Sequence, residues 1–385
     1  MPETTPLTMG LLGTSLKENE QRAPLDPRQI SQIDATLRER IIVEAGYGER
    51  FGVSDTQLES VVGEVVERKV VFQRADIVVL PKITPGEREF FRAGQAVWGW
   101  PHLVQNEDIA QIAIDKRLTM IAWESMNLPA PGGGRGLHVF HRNNEIAGYA
   151  GVLHALTLQG IAGPYGAPQR AVVIHHGLTG RGAIHALQAL GVRAVVCLVH
   201  SSPEDVPATI PGVTYRRLVC DNEEGDTSVE SEDGVRRPTA SVLAESDIIV
   251  NCIFQDTARP IFFARESDLS LWRRGTLIVD VSCDRALGFD FARPTTFENP
   301  MFEVGKGIAY YAVDHTPSLL WRDATWEVGR ALLPYVSDVM AGPSGWERNP
   351  VLQPAVEMRD GRILNPKILL HQRRVAEYPH VSSGR

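Results

Sequence analysis

The sequence predicts a two-domain α/β protein, and three observations carry that prediction. The chain has 385 residues, room for two or three domains at roughly 150 residues each. Short apolar, β-branched runs alternate with stretches of helical spacing, the pattern of parallel sheets covered on both faces. One such run, VVIHHGLTGRGA at 172–183, leads through a glycine turn into a helix, as dinucleotide-binding folds do.

Composition narrows the function classes. Hydrophobic residues make up 43% and charged residues 22%, an ordinary globular balance that needs no disulfide or structural metal. Lys plus Arg number 39 against 47 Asp plus Glu, a formal charge of −8, which argues against nucleic acid as the main partner. No run of 18 apolar residues predicts a membrane span, and Met1–Gly10 lacks the basic start and apolar run of a signal peptide. The four cysteines (Cys197, Cys220, Cys252, Cys283) form no CxxC pair. Three of them sit in apolar, strand-like runs and read as buried free thiols of a cytoplasmic protein, and no metal site is expected.

The elements follow in order. MGLLGTS at 9–15 reads as a strand and PRQISQIDATLRERIIVEAG at 27–46 as a helix. ADIVVLPK (75–82), AVWGWPH (96–102) and TMIAWES (119–125) read as strands, with the helical stretch QNEDIAQIAIDKR between the last two. Residues 126–142, with Pro129, Pro131 and Gly132 to Gly134, read as a loop and hinge. NNEIAGYAGVLHALTLQG is a helix with Asn143 or Asn144 as its N-cap. A second α/β unit opens with the strand 170–177, the helix RGAIHALQALG and the strand 193–200. Asp221 to Asp233 holds seven acids in thirteen residues and reads as a solvated loop. SDIIVNCIF and GTLIVDVSCD are buried strands, and GIAYYAVDHTPSLLW is a strand running into a helix. RDGRILNPKILLHQRR closes the chain as a turn, a short strand and a helix.

Five stretches could carry chemistry. In the glycine turn, His175 stands where the first glycine of G-x-G-x-x-G is expected, and Gly177 and Gly180 fill the other two places. Backbone N–H groups of Gly177, Leu178, Thr179, Gly180 and Arg181 would cradle a pyrophosphate at the helix N-terminus. The next strand ends in His200, Ser201 and Ser202, without the acid that usually holds an NAD ribose. This predicts NADPH ahead of NADH, although Glu204 and Asp205 follow closely. KENEQRAPL (17–25) contains Arg22, and VLPKITP (79–85) places Lys82 at the end of a buried strand. WGWPHLVQN (98–106) places His102 just after another. LIVDVSCDRALGFDFARPTTFENPMF (277–302) sets Asp280 and Asp284 at the mouth of a further strand.

In their order, KENEQR, LPK, WPHL, AWES, NEIAG, HHGLTG and VDVSCD…ARPTT resemble the alanine dehydrogenase and transhydrogenase-like family over roughly residues 8–330. Within it, YYAVDHTPSLLWRDATWEV, DIIVNCI and DGRILNPKIL look more like the N5-(carboxyethyl)ornithine synthase branch, and the missing ribose acid agrees with that branch's NADPH. His175 and the 221–237 and GGGRG segments depart from the family pattern.

The resemblance implies a Rossmann-like nucleotide domain at 143–305, a discontinuous catalytic domain at 1–142 plus 306–385, and an active-site cleft between them. It also implies roles. Arg22 would hold a keto-acid carboxylate, which suits its planar fork. Lys82 would contact the substrate carbonyl, His102 would act as acid–base catalyst, and Asp284 would lie near the nicotinamide ribose. Asp280 is expected at the cofactor. The expected reaction is condensation of pyruvate or a related 2-oxo acid with the amine of an amino acid such as ornithine or lysine. Reduction by NADPH would then give an N-(1-carboxyethyl) amino acid. Two rivals stay open. One is alanine dehydrogenase, using ammonia and usually NAD. The other is a catalytically silent nucleotide-binding regulator. A homo-oligomer is expected by resemblance.

Overall fold

The computed structural model describes residues 5–231, 233–253, 255, 259–283 and 285–382. The chain divides into two compact units, 1–141 with 321–385, and 142–320.

The first unit is built on an eight-stranded sheet. Strands β1 (Met9–Leu11), β2 (Ile41–Glu44), β3 (Glu64–Val66), β4 (Ile77–Lys82), β5 (Ala96–Trp100) and β6 (Thr119–Ala122) run parallel in the order β6-β5-β4-β1-β2-β3. The C-terminal strands Val356–Arg359 and Arg362–Ile363 add an antiparallel hairpin beside β6. Alternation along β4 explains the unbroken apolar run: Ile77 and Val79 enter one core and Val78 and Leu80 the other. A parallel sheet buried on both faces requires this. Helix α1 (Glu107–Asp115) starts where the Asn106 side chain accepts from Ile109 N–H at 3.3 Å, and buries Ile109, Ala110, Ile112, Ala113 and Ile114.

Residues 27–46 are not one helix. A 3₁₀ turn (Pro27–Gln32) and a single α turn (Ala35–Arg38) precede β2. The Asp34 side chain accepts from Thr36 N–H and restarts the chain. Ile41, Ile42 and Val43 then bury themselves in the sheet, so tertiary packing overrides the helical spacing. The 126–142 loop contains a small ribbon, Asn127–Pro129 paired with Arg135–His138 around the glycines.

The second unit carries a nine-stranded sheet behind α2 (His141–Leu158). Along the chain come β7 (Arg170–Ile174), α3 (Leu178–Ala189), β8 (Ala194–Val199), β9 (Val213–Cys220), β10 (Thr227–Glu230) and β11 (Arg236–Pro238). They are followed by β12 (Ile248–Asn251), β13 (Leu277–Asp280), β14 (Met301–Val304) and β15 (Ile308–Tyr311). The order is β11-β10-β9-β8-β7-β12-β13-β15-β14. Six of these strands are parallel, and β10, β11 and β14 add antiparallel edges. The chain moves outward from β7 to β8 and β9, then returns to the other side at β12. That reversal at the β7/β12 pair is the switch point where such sheets bind ligands.

Three expectations change here. The chain returns to the first unit at 321 rather than 306, because β15 pairs with β13 in the second sheet. Helix α2 begins at His141, so Asn143 lies inside its first turn, buried, and is not a cap. The acidic 221–233 stretch is not simply a solvated loop. Strand β10 pairs with β9, Val229 reaches the core, and Arg265 pairs with Asp226 at 2.7 Å. Among the described residues no helix is long and apolar enough to cross a membrane. All four cysteines are free, Cys197 and Cys252 buried.

Candidate active site and nucleotide cradle

In the first unit, adjacent parallel strands bring two expected residues together. β4 pairs with β5 so that Leu80 faces Gly99 and, past an irregularity, Lys82 faces Trp100. Lys82 therefore ends one strand beside the turn after the next. Its Nζ lies 2.7 Å from Nε2 of His102. His102 adopts a left-handed φ of 47°, uncommon for a residue with a side chain. Its backbone N–H donates to Glu124 Oε1 at 2.6 Å, and that oxygen lies 3.8 Å from His102 Nδ1.

Glu124 sits in the 3₁₀ turn Trp123–Ser125 that leaves β6. Burial, and then the neighbouring Glu357 carboxylate, push its carboxyl up to about 8; Lys82 and the His102 N–H work in the opposite direction. Glu357 is itself 3% exposed and accepts from Ser125 Oγ at 2.6 Å and from Asn365 Nδ2 at 3.0 Å.

Arg22 is also buried, at 3% exposure. Glu20 fixes its fork: Arg22 Nε donates to Oε1 at 2.8 Å and Nη2 to Oε2 at 2.5 Å. The guanidinium lies 4.7 Å from the Trp100 ring centre, within cation–π range. Trp100 in turn meets the Trp123 ring edge-on at 4.7 Å. The expected trio Arg22, Lys82 and His102 is thus gathered along β5 and its neighbours. Sequence reasoning missed Glu20 and Glu124, although both stand inside the quoted stretches KENEQR and AWES. It also missed Glu357, which has no local signal, since Ser125 reaches it across 232 residues of chain.

In the second unit, β7 runs into α3 through the glycine turn. Gly177 is the N-cap and brings no side chain to cover the first-turn N–H groups. A Cβ on Gly180 would stand 2.0 Å from the His175 carbonyl oxygen, and one on Gly182 would stand 1.8 Å from that of Glu145. Only glycine allows this close seating of helix on strand. His175 takes the first-glycine place with a glycine-like φ of 80°. Burial and the neighbouring His200 and His176 lower its imidazole pKa. Leu178 and Thr179 form the first turn of α3, and Arg181 donates to the Ala208 carbonyl at 3.0 Å. His200 and Ser201 stand exposed past the end of β8, with Ser202 partly so. A bare helix N-terminus beside the switch point fits a dinucleotide pyrophosphate.

Asp280 is not laid out as a cofactor contact. It is 1% exposed, its Oδ1 accepts from Asn251 Nδ2 at 2.9 Å, and its Oδ2 accepts from the Tyr310 hydroxyl. Burial raises its carboxyl to about 7. Asp284 lies outside the described residues. Among the described residues no cluster of three His, Cys, Asp or Glu side chains could hold a metal ion.

Comparison with known proteins fits this layout. The family model "Alanine dehydrogenase/PNT, N-terminal domain" matches residues 15–147, and "Alanine dehydrogenase/PNT, C-terminal domain" matches 153–366. An alanine dehydrogenase of Halomonas elongata is 29% identical, over 86% of this chain and 87% of its own. An N(5)-(carboxyethyl)ornithine synthase of Lactococcus lactis is 24% identical, over 81% of this chain and 90% of its own. A solved L-alanine dehydrogenase shares the fold with a TM-score of 0.75 and 21% identity, over 95% of this chain and 99% of that one.

The likeness is therefore stronger to the alanine dehydrogenases than to the ornithine synthases, the reverse of the sequence expectation. The cofactor expectation changes with it, from NADPH to NADH. The missing acid was a poor guide. The segment 200–205 offers no Lys or Arg for a 2′-phosphate, and exposed Glu204 and Asp205 would repel one. The chain is an NAD(P)-dependent oxidoreductase acting on carbon–nitrogen bonds. It belongs to the alanine dehydrogenase/PNT family.

Proposed function

We propose that the protein catalyses the NADH-dependent reductive amination of a 2-oxo acid, with pyruvate and free ammonia as substrates. The observation that carries this reading is the 2.7 Å contact of Lys82 with His102, with the buried Arg22 fork held over Trp100 two residues before His102.

Arg22 would bind the keto-acid carboxylate, with Glu20 and Trp100 fixing the guanidinium plane. Lys82 would donate to the carbonyl oxygen and draw electron density from the carbon. Ammonia adds there to give a carbinolamine, and the C–O bond then breaks. The Lys82–His102 couple would supply the proton that leaves with water and take up the one released from nitrogen. NADH supplies the hydride that converts the resulting iminium to the amino acid. The turn 177–181 would hold its pyrophosphate and His200, Ser201 and Ser202 its ribose. The sum is 2-oxo acid, ammonium, NADH and a proton going to amino acid, NAD and water.

A second reading, in which an amino acid such as ornithine or lysine replaces ammonia and gives an N-(1-carboxyethyl) product, is supported by the ornithine synthase likeness around 310–328. NADH oxidation separates the two. Turnover with pyruvate and ammonia supports amination. Turnover with pyruvate and ornithine or lysine, and none with ammonia, supports the second reading. Bound NADH with no turnover in any mixture favours a nucleotide-binding regulator.

A further inference from the structure

The mechanism proposed above uses Arg22, Lys82 and His102 but leaves two carboxyl groups behind them unused. Glu124 and Glu357 belong to elements distant in sequence, the turn after β6 and the C-terminal hairpin. In each, Oε1 is hydrogen-bonded and Oε2 is buried without a hydrogen-bond partner. Two buried oxygens left unpaired in one region are costly if both groups are ionised. A proton held on Glu124 removes most of that cost.

The surroundings fix where such a pair would act. Glu124 faces Lys82 from β4 and His102 from the turn after β5. Glu357 comes from the C-terminal hairpin with Ser125 and Asn365 as its donors. The His138 Nε2 lies 3.1 Å from the Trp123 carbonyl oxygen. Lys82 and His102 together need one positive charge for the step assigned to them. A carboxyl pair with one proton carries one negative charge and balances it.

We propose that Glu124 keeps a proton beside the buried Glu357 side chain and that this pair sets the protonation state of the Lys82–His102 couple, with Glu124 as the positioning residue through its bond to the His102 N–H. The idea rests on the reductive amination reading for its consequence, but not for its test. With the pair singly protonated, the couple keeps one acid and one base. Once that proton is lost, the pair's second negative charge holds the couple's one proton more tightly, and its acid is weakened. Glu357 acts by keeping Glu124 protonated.

An infrared pH titration of the full-length protein without substrate or cofactor tests the pairing directly. A protonated, buried carboxyl gives a carbonyl stretch apart from the carboxylate bands. The wild type is expected to retain such a band at neutral pH and to lose it near pH 8. Glu124→Gln removes its part of the band and leaves that of Asp280, whose buried carboxyl is also raised, to about 7, so each titration is read as the difference from Glu124→Gln. Glu357→Gln removes the like charge and moves its loss down by more than one pH unit. Ser125→Ala keeps both carboxyls but takes a donor from Glu357, and moves the loss upward; this variant serves if the glutamine variants do not fold. Loss of the band below pH 6 in the wild type, or an unshifted titration in Glu357→Gln or in Ser125→Ala, overturns the pairing. In turnover, Glu357→Gln should move the alkaline limb of kcat by the same amount with the KM for NADH unchanged. A limb that stays in place while the band moves overturns the link to the couple. Absence of turnover with pyruvate and ammonia overturns the reaction assigned above and leaves the infrared result standing.

Discussion

The Lys82 Nζ lies 2.7 Å from the His102 Nε2, and two neighbouring parallel strands produce that contact. A hydrogen bond between an amine and an imidazole needs a free lone pair on one of them, so one partner donates and the other accepts. This suits a reaction in which one proton is delivered and another removed. Replacing either residue with alanine should lower kcat by roughly 10²–10⁴ and leave NADH affinity unchanged. Steady-state rates beside fluorescence titration of NADH check this. Unchanged kcat in both variants would contradict the assignment.

Arg22 should govern keto-acid affinity. Arg22→Lys keeps the charge but loses the fork and its stacking on Trp100. The KM for pyruvate should rise roughly 10–100-fold, about 1.4–2.8 kcal/mol. Glu20→Gln, which loosens the same fork, should move KM in the same direction by less. A KM that is indifferent to both changes would place the carboxylate elsewhere.

The nucleotide turn makes a steric prediction. Gly180→Ala sets a methyl group 2.0 Å from the His175 carbonyl oxygen, and the backbone must move. Stability should fall by about 1–3 kcal/mol, and NADH affinity by tenfold or more. His175→Gly restores glycine where φ is already 80°, so NADH should still bind. Calorimetry of the two variants with NADH reads both effects; lost binding in His175→Gly would show that the imidazole belongs to the cradle.

Asp280 predicts a pH dependence of stability. Its folded carboxyl titrates at about 7, while an unfolded aspartate titrates near 3.9. Between these values the folded chain holds a proton that the unfolded chain has lost. Its contribution therefore favours folding less as pH rises from about 4 to about 7, then levels off. Asp280→Asn removes this decline. The Tm difference between variant and wild type should shift in the variant's favour across that window, by roughly 2–4 °C or more. A difference constant with pH would show that Asp280 is ionised throughout.

The sequence made the large elements legible because parallel strands buried on both faces read as apolar runs. β4, β5, β7, β8, β12 and β13 all have that form. It concealed β2, because Ile41–Val43 follows a helical turn without a break, and β9–β11, because acids surround their few buried residues. At the site, Arg22, Lys82 and His102 stood in recognisable stretches. Glu357 did not, because its role depends on a hairpin that closes the sheet from the far end of the chain. A carboxylate at a strand mouth, as Asp280 is, points to ligand or core according to its partners. Asn251 and Tyr310 draw this one inward.

The most direct test of the account follows the transferred hydrogen and the nitrogen together. The protein would be given NADH deuterated at the transferring position of its nicotinamide, with pyruvate and ¹⁵N-ammonium, and the products read by mass spectrometry. The account predicts alanine carrying deuterium on its α-carbon and ¹⁵N on the same carbon. Fully deuterated NADH remaining bound with no labelled alanine, or deuterium appearing only when ornithine or lysine replaces ammonium, would contradict it.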